Sequence, residues 1–144
     1  MTTFDFNDGN GLVLAHKHEN GGGWVADTTY VAETAHIAET ARVFGNAKVY
    51  NNVSIYGNAE ISEYALVSNN AKVYDDAVIS GYAKVLGKAR IYENAEIRGE
   101  AEVSGNAQIY GNAKVFGDAM VHGKATVSGN AWVCGDCNLT KGIF

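Results

Sequence analysis

The chain has 144 residues, 47% of them apolar, with 17 glycines, no proline and a formal net charge of −5. That composition fits one domain with a buried core and excludes proline-rich or highly charged disorder. Mild acidity without a basic stripe gives no electrostatic footprint for direct nucleic-acid binding.

Residues 1–24 form a lead-in that differs from all that follows. Its start, MTTFDFNDGN, is polar and acidic, with neither the basic nor the apolar region of a secretory signal. The longest early apolar run, Leu12 to Ala15, is far too short to cross a bilayer. A soluble, cytoplasmic protein is therefore expected, with no membrane partner and with Cys134 and Cys137 as thiols. Phe4, Phe6, Leu12 and Leu14 are the candidate cap for one end of the molecule, and Ile143 and Phe144 for the other.

From Val25 onward the chain keeps a period of six to its end. Stepping by six from Val25 through Val31, Ile37 and Val43 to Val133 and Leu139 meets only aliphatic residues. Ala follows four positions later, except at Thr29, Val53, Cys137 and Ile143. Between them fall turn residues, commonly Gly-Asn, as at Gly57-Asn58 and Gly111-Asn112. Ala and Val two apart share one face of a short strand, and the residues around them face the other way. A helix cannot keep one face apolar at this period. Each word is thus a short strand and a bend with its aliphatic residues inward. Three words make one triangular coil of eighteen residues, and twenty words make nearly seven coils, a rod of roughly 32 Å.

The repeat V-x-G-N-A-x across residues 25–144 resembles the hexapeptide-repeat superfamily. That resemblance implies an all-β fold, a single-stranded left-handed parallel β-helix, and it is the source of the hand. The lead-in AHKHENGGGWVADT, followed by GNAxV words, also resembles small phage- and prophage-encoded proteins. The domain division expected is 1–24 as a cap or lead-in and 25–144 as β-helix.

Positions eighteen apart stack, so the sequence becomes a surface map. One column reads Ala38, Tyr56, Tyr74, Tyr92, Tyr110 and Ser128, beside Ser54, Lys72, Arg90 and Gln108. Tyr56, Tyr74, Tyr92 and Tyr110, with Lys72 and Arg90, are the candidate interface: rings for stacking, cations for cation–π contact, and polar groups for hydrogen bonds. One corner carries Glu39, Asp75, Asp76 and Glu93, and another carries Tyr64 and Tyr82 above Glu100, Asp118 and Asp136. Stacked carboxylates are cation ligands in some proteins and solvated turns in most.

Many hexapeptide-repeat proteins are trimeric acyltransferases with a catalytic histidine and loops that leave the coil. Here no word is interrupted, and of the histidines His16, His18, His36 and His122 the candidate is His122, with which no family catalytic motif aligns. His36 and His122 lie almost five coils apart and cannot share a metal in one chain. His16-x-His18 lacks an evident third ligand. Cys134-Gly-Asp-Cys137 has the C-x-x-C spacing but no helix, with Cys134 outward and Cys137 in an inward Ala place. Thr28, Thr34 and Thr40 fall on three different corners, so they form no threonine row of the ice-binding kind. No catalytic residue, metal site or cofactor is assigned. The expectation is a homotrimeric, non-enzymatic scaffold, phage- or prophage-encoded, that binds a host protein. The alternatives are an acyltransferase-like enzyme or small-ligand binder with sites between subunits, and a virion component.

Overall fold

A computed structural model describes residues 2–144. After a hairpin of β1 (Thr3–Asp5) and β2 (Leu12–Lys17), β3 (Trp24–Ala26) starts a run of very short strands spaced six residues apart. Each pairs in parallel with the strand eighteen residues on, as Lys72 with Arg90 and Val78 with Glu96. Every third strand therefore joins the same sheet, and the chain winds as a β-solenoid with three faces. Face I runs from β3 through Arg42–Val43 to Trp132–Val133, face II from Tyr30–Val31 to Asn138–Leu139, and face III from His36–Ile37 to Thr126–Val127.

The core is the six-residue period made solid. Ile37, Ile55, Ile61, Ile79, Ile91, Ile97 and Ile109, with the Val and Ala of each word, are fully buried in one continuous cluster. Burying each large aliphatic contributes roughly 1.5–3 kcal/mol, most of it offset by backbone ordering. Val53, which replaces Ala in its word, is buried as completely as the alanines.

The corners need positive φ, and the chain meets that need in two ways. Gly87 adopts φ 66°, and a Cβ there would come within 2.9 Å of the Gly105 nitrogen one coil on. Where Asn51, Asn69, Asp75 or Glu93 takes such a place, its side chain gains a bond in return. Asn69 at φ 62° accepts from the Gly87 N–H at 3.1 Å, and Glu93 at φ 57° accepts from the Gly111 N–H at 2.8 Å. Asp75 likewise accepts from the Glu93 N–H at 3.1 Å. The acidic corner is thus partly structural, its carboxylates satisfying backbone donors of the next coil.

The hairpin does not lie across the end of the rod. β2 pairs antiparallel with β3 and so extends face I. Leu12 and Leu14 are exposed, and only Phe6 of the four proposed capping residues is buried. Phe6 stacks on Phe44 and Phe4 on Trp24, both at outward positions of face I. The physical reason is that face I already carries outward aromatics, so the alternating Phe4 and Phe6 build a second small core there. The true closure comes from residues 18–23. His18 is buried, and its Nε2–H donates to the Ala35 carbonyl at 2.9 Å. The Ile37 N–H donates to Asn20, and the Gly23 N–H to the Ile37 carbonyl. Below them Thr28, Thr34 and Thr40 each donate to a corner carbonyl of the following coil, Gly45, Asn51 and Gly57.

The other end stays open. Ile143 is 83% exposed and Phe144 47%, so neither covers the core cross-section. Phe144 instead pairs its backbone with Thr126 and Ser128 along face III. Cys137 holds an inward place of the repeat yet is exposed, because no further coil packs beneath it.

Candidate functional site

The tyrosine column lies along face III, each ring one residue past its strand. Tyr56–Tyr74, Tyr74–Tyr92 and Tyr92–Tyr110 have ring centroids 4.8, 4.9 and 4.9 Å apart and interplanar angles of 1°, 0° and 9°. The spacing is that of adjacent strands, which is why a single repeat position generates the ladder. The rings turn their faces to one another. Tyr74, Tyr92 and Tyr110 are half-buried, and Tyr56 is only just exposed. What the column offers outward is a line of ring edges and phenol groups. The Tyr92 hydroxyl donates to Gln108 Oε1 at 3.3 Å.

Burial raises the Tyr74 phenol above its ordinary value of 10.0, with neighbouring Tyr56 adding to the rise and Arg90 opposing it. Burial raises Tyr92 in the same way, helped by Tyr74 and Tyr110. Both shifts favour the neutral phenol at these two rungs.

Lys72 and Arg90 sit on adjacent strands of the same face, paired residue to residue and exposed. All six proposed interface residues thus share one face. The cations do not cover the tyrosine rings. Cation–π contacts join Arg42 to Phe4, Lys17 to Trp24, Arg98 to Phe116 and Lys114 to Trp132, at 5.5 to 5.7 Å.

Two further features carry less weight in the sequence than in the structure. Tyr64 and Tyr82 stack at 5.0 Å and are more exposed than the ladder, at 54% and 58%. They border a shallow cleft of about 490 Å³ with Lys48, Leu66, Lys84, Glu100 and Glu102. A second cleft of about 500 Å³ opens where the hairpin lies against face I, between Asp8, Arg42, Phe44 and Glu60. The signal for it was the alternation of Phe4 and Phe6 opposite outward Trp24 and Phe44.

Each histidine has a local partner. His16 Nδ1 lies 2.8 Å from Asp27 Oδ1, His36 Nδ1 lies 3.1 Å from Asn20 Oδ1, and His122 Nε2 contacts Asn138 Oδ1. His16 and His18 diverge, one to Asp27 and one to a buried carbonyl. Among the described residues no three His, Cys, Asp or Glu side chains are grouped to hold a metal. No helix of the described residues is long and apolar enough to cross a membrane.

Residues 107–123 match a family model described as YdcK Beta solenoid repeat. The match falls within the unbroken words, in their C-terminal third. The chain is a β-solenoid repeat protein. No curated protein and no solved structure matches it. For this β-solenoid the differences among words, not the words themselves, mark out sites.

Proposed function

We propose that the protein is a non-enzymatic, rigid scaffold that binds a macromolecular partner, and assembles as a trimer, through the outward side chains of its faces. The observation that carries this reading is the four-rung tyrosine ladder on a straight face of an uninterrupted coil, flanked by Lys72 and Arg90. Ordered aromatic edges cost little side-chain entropy to dock against, and the adjacent cations supply polar rim contacts. A solenoid also holds such a row without hinge motion, because each coil is fixed by its two neighbours.

The test pairs two measurements on purified protein. Light scattering after size exclusion is expected to give a trimer, and Tyr92→Glu to dissociate it or to abolish capture of the partner from a cell lysate. A Tyr92→Glu protein that folds, keeps the wild-type mass and retains its partner would show the ladder to be a strand-pairing device only.

A further inference from the structure

Face II carries one column of outward side chains, Tyr30, Lys48, Leu66, Lys84, Glu102 and Met120, each paired strand to strand with the next. Beside it, on the corner toward face I, stand Asn46, Tyr64, Tyr82, Glu100 and Asp118. Charge and shape both change along this face. The cations, Lys48 and Lys84, lie in its first half, and the carboxylates, Glu100, Glu102 and Asp118, in its second. Glu63, next to Tyr64, lines the cleft on face I instead. In the first half Tyr64, Leu66 and Tyr82 border the cleft of about 490 Å³, and Leu66 is half-buried. In the second half Met120 stands out, 41% exposed. One half thus offers cations and a hollow, the other carboxylates and a knob. Lys84 and Glu102 are neighbours on adjacent strands, yet no ion pair joins them.

We propose that face II binds face II of a second copy of the same chain, the two rods lying antiparallel. The two-fold axis lies in the contact, perpendicular to the rod, and passes between Lys84 and Glu102. Such an axis keeps each column opposite itself and reverses its order. Lys84 of each copy then faces Glu102 of the other, so four charges alternate around the axis. One coil further out, Met120 of each copy meets Leu66 of the other and enters the cleft beside it. In the corner column Tyr82 faces Glu100 and Tyr64 faces Asp118, phenol donors against carboxylate acceptors. Every contact occurs twice, and the assembly closes at two faces.

Charge selects this arrangement over its rivals. An axis through Lys84, or through Glu102, sets that residue against its own mate. An axis parallel to the rod does so for Lys48, Lys84 and Glu102 together. An axis between Leu66 and Lys84 presses each ammonium against a leucine and leaves Met120 outside the cleft. Like charges and unpaired charges in a contact disfavour all of these. The contact uses a different face from the tyrosine ladder and does not depend on it.

Light scattering of the purified chain across a concentration series tests the proposal. A pair of chains is expected, twice the 15.3 kDa chain mass, or a pair of trimers where the tyrosine face is engaged as well. Lys84→Glu and Glu102→Lys each set like charges together twice, and each is expected to weaken the pairing by about tenfold or more. The double variant Lys84→Glu/Glu102→Lys exchanges the charges and is expected to restore it. Met120→Asp removes the knob and is expected to weaken the pairing as well. Tyr92→Glu is expected to leave it in place, which separates a failure here from a failure of the tyrosine face. A monomer or an odd-numbered assembly at the highest soluble concentration overturns the proposal. So does a mass that is the same for the wild type and both single variants, or a double variant that pairs no better than the singles.

Discussion

The two ends of the rod are built from the same chain with opposite results. At the first end, His18 and the residues through Gly23 fold over the opening coil, and three threonines tie its corners to the coil beneath. At the last end the same word, with an aliphatic residue in its place, leaves Leu139 half-buried and Cys137 exposed. A word does not bury its own residues. Each coil is buried by its neighbours, and a terminal coil needs something else.

The largest expected effect separates the middle from the open end. Ile79→Ala in the fully buried column should destabilise by about 2–5 kcal/mol, by transfer and cavity terms together. Leu139→Ala removes a similar side chain from a half-buried site and should cost about 1 kcal/mol at a concentration where the chain is monomeric. Urea midpoints of the two variants measure the difference. Equal costs would mean the last coil is covered after all.

At the closed end, His18→Ala leaves the Ala35 carbonyl without its donor. A loss of about 1–3 kcal/mol is expected, the usual cost of an unmet buried acceptor. Thermal unfolding checks it, and a loss below a few tenths would make residues 18–23 a loose flap rather than a seal.

The smallest effect lies in the middle of the rod. Tyr74 and Tyr92 hold their protons above the ordinary value of 10.0 in the folded state. The folded chain therefore keeps protons that the unfolded chain gives up. Stability should be unaffected below pH 10 and fall as the pH rises through and past 10. Ultraviolet titration at the phenolate band should show a population of tyrosines ionising late. Titration of every tyrosine at the free value would contradict the stacked, half-buried ladder.

The fold was legible because its period is arithmetic. Six residues per strand and eighteen per coil place Val, Ala and the turn residues without any tertiary knowledge, and the pairing of Lys72 with Arg90 follows from the same count. The tyrosine column was legible for that reason too. Its exposure was not, since ring orientation depends on how neighbouring rings share space. The hairpin was misplaced because residues 1–24 carry no period, and aromatics at outward positions attract partners that a repeat count ignores. The count places Asp75 and Glu93 on one corner but not their bonds, because it is positive φ there that turns them toward backbone donors.

The contrast between the ends is tested most directly by amide hydrogen exchange, resolved to single residues, on dilute monomeric protein. Strong protection is expected at Ile37 and Arg42 beneath the closed end, and near-free exchange at the unpaired amides of Trp132, Cys134, Asn138 and Thr140. Equal protection at both ends would contradict the account.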